Sequence, residues 1–217
     1  MTTPKAQPLA VKVLPDFAPD NWESVENAFA DAATCELSQA WLEMPEAAFL
    51  PATARLGGRG DALWIYAILR DADIFNAATE PNQATWTTGD VFEIFLRPVG
   101  QNAYFELHVT PENQTLQLRF PDAQAQSSGR PWSEFIVVPK LFSSRTLVED
   151  GQWRVLVEIP IRNISENLDA GREWAFSLSR YDATRGEEKP VISSSSPHRV
   201  PRFHRQEEWR RLSMENI

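Results

Sequence analysis

The chain has 217 residues, 42% of them hydrophobic and 24% charged, which fits one globular domain with its own core and excludes disordered, collagen-like and coiled-coil classes. With 30 Asp and Glu against 21 Lys and Arg the formal net charge is −9, a field that repels phosphate backbones and anionic lipid and argues against nucleic-acid and membrane partners. The longest apolar run, Ala62–Leu69, is far shorter than the roughly 20 residues of a membrane-spanning helix. Pro8 and Lys12 interrupt the stretch Met1–Leu14, so no secretory signal is read there: either the protein stays inside, with the cytoplasm as the default location, or a signal was removed. Cys35 is the single cysteine, which leaves no intrachain disulfide and reads as a small buried residue.

Taken in chain order, residues 1–15 read as an N-terminal extension and 16–213 as one domain, with the part before Pro51 wrapping a sheet edge or end. Trp22–Ala33 has room for two or three helical turns. From there β-type alternation recurs over Ala52–Leu56, Ala62–Arg70, Asp90–Arg97, Ala103–Thr110, Thr115–Phe120, Trp132–Val138, Arg145–Glu149, Trp153–Ile159 and Glu173–Tyr181. Turn signals separate these runs: Gly57-Gly58-Arg59-Gly60, Pro98–Asn102 and the hairpin dipeptide Asp150-Gly151. One further helical turn is expected over Ile164–Leu168, closed by Gly171. With 16 prolines opposing long helices, the expectation is an all-β, two-layer antiparallel sandwich of immunoglobulin or jelly-roll type. Trp64, Trp153 and Trp174 sit in apolar alternation and should be buried, whereas Trp86 should be partly exposed. Arg180 shares a face with Trp174, Phe176 and Leu178 and is expected where the core opens to solvent.

No nucleophile elbow, H-E-x-x-H, P-loop or G-x-G-x-x-G occurs, so the common enzymatic handles are missing and no catalytic residue is assigned. The densest constellation is Thr85–Pro98 followed by Tyr104–Val109. Glu93 lies between Phe92 and Ile94 on a strand that otherwise reads as core, where an unpaired carboxylate is costly. It either pairs with an arginine such as Arg97 or Arg119, or it faces a groove beside Trp86. An aromatic platform next to carboxylate, guanidinium or imidazole groups suits a sugar, whose C–H face stacks while its hydroxyls are bonded. The segment Pro197–Arg205 is extended by its prolines and is either a second platform or a solvated basic tail.

The blocks D-A-L-W-I-Y-A-I-L-R-D-A-D-I (61–74), T-W-T-T-G-D-V-F-E-I-F-L-R-P (85–98), Y-F-E-L-H-V-T-P (104–111), W-R-V-L-V-E-I-P (153–160), W-A-F-S-L-S-R-Y-D (174–182) and F-H-R-Q-E-E-W-R-R-L (203–212), in that order, resemble the family 9 carbohydrate-binding modules of the DOMON-like sandwich group. The resemblance covers about residues 16–213. It implies a noncatalytic sandwich that holds sugar ends between two aromatic walls, with structural calcium in some members. By position, Trp86 resembles the first wall, Asp90 and Glu93 a D-x-x-E pair, and His108 a basic sugar-contacting residue, while Phe203 or His204 would replace a second tryptophan wall.

The expected ligand-binding set is therefore Trp86, Asp90, Glu93, Arg97, Glu106, His108, Arg180, Phe203 and His204, acting on a saccharide in a monomeric protein. No cofactor is required, and Asp61, Asp71 and Asp73 are the candidate calcium ligands. Two other readings stand beside it. One is a glycoside hydrolase with Glu93 and Glu106 as its two carboxylates, or an accessory part or remnant of such an enzyme in carbohydrate catabolism. The other is a DOMON-type b-haem domain, with Met44 and either His108 or His204 as axial ligands.

Overall fold

The structure, a computed structural model, describes residues 8–165 and 173–214. Its elements in chain order are β1 (Leu9–Ala10), β2 (Lys12–Val13), α1 (Trp22–Ala28), β3 (Ala33–Leu37), β4 (Ala52–Arg59), β5 (Ala62–Arg70), β6 (Val91–Pro98), β7 (Tyr104–Val109), β8 (Thr115–Phe120), β9 (Ser143–Glu149), β10 (Gln152–Pro160), α2 (Ile161–Ile164), β11 (Glu173–Asp182), β12 (Val191–Ser194) and β13 (Arg210–Ser213). They form the expected β-sandwich. The seven-stranded sheet runs β1-β13-β11-β6-β7-β8 with β12 also on β11, and the six-stranded sheet runs β2-β4-β5-β10-β9 with β3 on β4. Among the described residues the pairings are antiparallel except β1 with β13 and β2 with β4, and no helix is long and apolar enough to cross a membrane.

Alternation decides which residues meet between the sheets. Phe92, Ile94 and Leu96 of β6, Phe105, Leu107 and Val109 of β7, and Trp174, Phe176 and Leu178 of β11 face Leu63, Ile65 and Leu69 of β5 and Trp153, Val155, Val157 and Ile159 of β10. Trp153 and Trp174 are fully buried there. Trp64 is buried too, but on the outer face of the smaller sheet. There α1 seats Val25, Ala28 and Phe29 against Trp64, Tyr66 and Leu156. Asn21 caps that helix by accepting from the Ser24 backbone N–H at 3.0 Å. The helix ends at Ala28, because Ala33 already belongs to β3.

Several local expectations are corrected. Residues 9–13, expected as an extension, supply one strand to each sheet. Gly57 and Gly58 do not turn the chain but lie within β4, paired with Lys12 and Val13. A Cβ on Gly57 would sit 2.3 Å from Leu14 Cδ2, so the glycine lets the N-terminal strand approach. Trp132–Val138 is not a strand. Trp132–Phe135 forms a 3-10 turn, and a single bridge ties Ile136 to Leu118. The last helical turn falls at α2, and Leu168 and Gly171 lie outside the described residues.

Candidate functional site

The outer face of the larger sheet carries the residues of opposite parity: Glu93, Phe95 and Arg97 on β6, Tyr104, Glu106 and His108 on β7, Leu116, Leu118 and Phe120 on β8, and Ser177, Ser179 and Tyr181 on β11. Register sets Glu93 opposite His108, Phe95 opposite Glu106, and Glu106 opposite Leu118. Two loops cover this face. One follows β8 and carries the 3-10 turns Ala125–Ser127 and Trp132–Phe135; the other is the C-terminal stretch 197–209. Between loops and sheet lies a cavity of about 660 Å³, lined by Trp86, Glu93, Phe95, Glu106, Phe120 and Trp132 among others.

The floor is a buried polar network. His108 Nε2 lies 2.8 Å from Glu106 Oε1 and 3.3 Å from Glu93 Oε1, and Thr85 Oγ1 lies 2.8 Å from His108 Nδ1. Burial pushes Glu93 up to about 8, opposed by His108 and reinforced by Glu106. Burial also acts to raise Glu106, yet His204 and His108 together hold it below the ordinary carboxylate range. His108 moves the other way: desolvation lowers it, but the two carboxylates outweigh that and raise it. The environments thus push the two acids apart, Glu106 toward its charged form beside His108 and Glu93 toward keeping its proton. Glu106 Oε2 is buried and has no hydrogen-bond partner among the described residues; the His204 imidazole Nε2 lies 3.6 Å away. Tyr104 Oη lies 2.9 Å from His204 Nδ1 and fixes that ring, and burial lowers the imidazole.

The walls are aromatic. Trp86 is half-buried and meets Trp132 edge-to-face at 5.3 Å between centroids, an arrangement favoured by the ring quadrupoles. Phe203 is almost fully buried and packs on Tyr181 at 5.9 Å and on Phe95 at 6.4 Å. The loop bearing Phe203 is pinned by the Trp209 indole N–H, which donates to the Phe203 carbonyl at 2.6 Å, and by Glu208, held by Arg205 and by His198. Pro197–Arg205 is therefore neither a solvated tail nor free, and it forms one side of the cavity.

Of the nine expected ligand-binding residues, Trp86, Glu93, Glu106, Phe203 and His204 line the cavity together. His108 lies behind the two glutamates, fully buried. Three others are elsewhere. Asp90 is buried and accepts backbone N–H bonds from Phe75 and Ala183, each at 2.7 Å, tying the loop before β6 to the end of β11; burial pushes its carboxyl up to about 8. Arg180 does not reach solvent: its Nη2 lies 3.0 Å from Asp71 and 3.1 Å from Asp182, at 1% exposure. Arg97 shares the outer face but bonds to the Gln101 carbonyl at 3.0 Å, and Glu93 finds its partner in His108 instead of Arg97 or Arg119. Sequence reasoning missed Arg130, Trp132 and Tyr181. Trp132 carried a signal only as a tryptophan in a polar, proline-flanked stretch.

The expected calcium ligands are not brought together. Asp61 precedes β5 and pairs with Arg162 at 3.2 Å, while Asp71 and Asp73 follow the opposite end of that strand, and Asp73 pairs with Arg185. Two other groups do converge, Asp71 with Asp90 and Asp182, and Glu93 with Glu106 and His108. In the first, Arg180 already supplies a positive charge; in the second, His108 does. The haem reading does not fit, since Met44 is 79% exposed, both ring nitrogens of His108 are engaged, and His204 meets Tyr104 through Nδ1 and Glu106 through Nε2.

Fold and site together describe a β-sandwich that presents an aromatic cavity with carboxylates at its base. No protein-family model and no curated relative matches the chain. Among solved structures, a protein from Bacteroides uniformis ATCC 8492 provisionally described as carbohydrate-binding has a TM-score of 0.70 at 18% identity, over 96% of this chain and 99% of the other. A family 9 carbohydrate-binding module from Caldicellulosiruptor kristjanssonii in complex with cellotriose follows at 0.63 and 14%, over 96% and 93%. A family 9 module from the same organism in complex with glucose stands at 0.60 and 14%, over 96% and 98%. The chain has the fold of the family 9 carbohydrate-binding modules.

Proposed function

We propose that the chain is a noncatalytic carbohydrate-binding module that holds a saccharide end in the outer cavity of the larger sheet. The observation that carries this reading is Glu106 Oε2, a buried carboxylate oxygen without a hydrogen-bond partner among the described residues, at the base of a cavity walled by aromatic rings. Such an atom costs free energy unless a ligand donor meets it, and a sugar hydroxyl is a donor of the right size. Trp86 and Trp132 offer ring surface for stacking, Phe203 backs the opposite side, and Glu93 and His204 take further hydroxyls. Enclosure by the sheet and by two loops favours a chain end over mid-chain rings. Both carboxylates turn onto one histidine instead of facing each other across a scissile bond, which argues for holding a sugar and not for cleaving it. The solved relatives bound to cellotriose and glucose support the same ligand class.

Calorimetry and tryptophan fluorescence with glucose, cellotriose and a broad glycan panel test the proposal. Saturable binding with Kd in roughly the µM to mM range, with the sugar recovered intact, is expected. Silence across neutral and acidic glycans, or release of shortened product, overturns it.

A further inference from the structure

The net charge of the chain is −9, yet the side of the cavity away from its floor is cationic. Its lining contains Arg130, Arg202 and Arg205, and among the described residues the only acids that line it are Glu93 and Glu106 at the base. The covering segment 197–206 holds three arginines, two histidines and no acid. Two of the lining arginines are oriented from outside the cavity: Glu134 holds Arg130 at 2.8 Å, and Glu207 and Glu208 hold Arg205 at 3.0 and 2.9 Å. Arg130 also lies over the Phe135 ring, 4.8 Å from its centroid. Arg202 is exposed and has no acidic partner among the described residues. Its backbone is fixed by its own N–H, which donates to the Val200 carbonyl at 2.7 Å, and by the buried Phe203 that follows.

We propose that the cavity takes a saccharide bearing an anionic group, a carboxylate or a sulfate, with the sugar ring toward Glu93 and Glu106 and the anion against Arg202, flanked by Arg130 and Arg205. This rests on the saccharide reading above and adds the charge of the ligand. The two ends of the cavity set the orientation, since an anion near Glu106 would be repelled while the guanidinium groups offer paired N–H donors with the fork geometry of carboxylate and sulfate oxygens. A neutral sugar alone would leave Arg202 unused.

The test uses matched pairs on the full chain: trigalacturonate against its methyl ester, and a sulfated galactan oligosaccharide against its desulfated form, with glucose and cellotriose as neutral references. In at least one pair the charged member is expected to bind about tenfold tighter or better at low salt, and the margin should shrink as salt screens the contact. The pair that shows the preference names the anion. Arg202→Gln should remove the preference and leave the neutral member's affinity unchanged, because Arg202 is exposed and outside the packed network. Equal affinity within both pairs, or a preference that survives Arg202→Gln, overturns the inference. If neutral sugars bind in that case, the saccharide reading stands alone, and if no sugar binds, both fall.

Discussion

Replacing Glu93 by Gln separates a floor that keeps a proton from one that merely holds an ion pair. Burial moves the Glu93 carboxyl from 4.5 to about 8, with His108 opposing and Glu106 assisting. At about 1.4 kcal/mol per pH unit that span, in which the opposing His108 is already included, corresponds to on the order of 5 kcal/mol as an upper bound. The folded chain therefore retains a proton that the unfolded chain releases above pH of about 4.5. Stability from this group is complete below that pH, falls as pH rises toward about 8, and is flat beyond. Asp90, pushed up to about 8, and Asp182, pushed up to about 6, tilt the wild-type curve the same way, so the wild type alone cannot isolate Glu93.

The difference between wild type and Glu93→Gln can. The amide is neutral at every pH and close to the protonated acid in shape, so the variant should match the wild type below pH of about 4.5, exceed it increasingly toward about 8 and keep that margin above. Each 1 kcal/mol moves Tm by about 2–4 °C in a chain of this size. The assay is a series of thermal melts across that range, paired with calorimetry on cellotriose at neutral pH. Saccharide affinity should fall by no more than about tenfold, because the amide nitrogen donates as the acid's O–H does but cannot also accept. Parallel Tm curves for the two proteins would refute the argument that Glu93 holds a proton. Unchanged affinity with lower stability at every pH would leave Glu93 as a structural partner of His108 and nothing more.

Trp86→Ala removes a half-buried ring and should weaken saccharide binding by about 2 kcal/mol, read by calorimetry, while the circular dichroism spectrum stays that of the parent. Asp71→Asn removes one of the two carboxylates facing Arg180 and should lower stability by about 1–3 kcal/mol in denaturant melts, less than for an unpaired buried charge because Asp182 remains 3.1 Å away, with saccharide affinity retained because neither residue lines the cavity. Chelation by EDTA should leave Tm unchanged, since Arg180 and His108 already sit against the two buried acid groups; a drop reversed by calcium would show that one of them holds a cation. Gly89→Ala should cost about 1–3 kcal/mol: its φ is +146° and the new Cβ would lie 2.3 Å from the Phe75 carbonyl oxygen.

Much of the sandwich was legible because strands buried on one face announce themselves by alternation, as in Trp153, Val155, Val157 and Ile159. Connections were less so. Trp132–Val138 has strand-like composition, but Pro131 and the single bridge from Ile136 to Leu118 leave it outside the sheet, and only tertiary packing over the outer face gives it a role. The strands β1 and β2 are two residues each, too short to carry any periodic signal. Likewise the C-terminal stretch reads as a basic tail until Trp209, His198 and Glu208 fasten it over the cavity.

The site itself divides along strand parity. Asp90 and Glu93 are three residues apart, and side chains on an extended strand alternate, so residues separated by an odd number point to opposite faces. The pair cannot jointly line one groove; Asp90 ties loops together on the inner side while Glu93 faces out. The same rule sets Arg180, opposite Phe92, on the inner face, and Ser179, opposite Glu93, on the outer. It also puts Glu106 and His108, two apart, on the same side. Parity is available from sequence, but which residue of β7 stands across from Glu93 is not, because register depends on the length and shape of the turn between the strands. That register, Glu93 against His108 with Glu106 one step along, supplies the partner that the acid in an apolar strand required. One residue of slip would turn Glu106 and His108 into the hydrophobic core and bring Leu107 to the cavity, so the turn over residues 99–103 specifies the chemistry of the floor as much as the glutamates do.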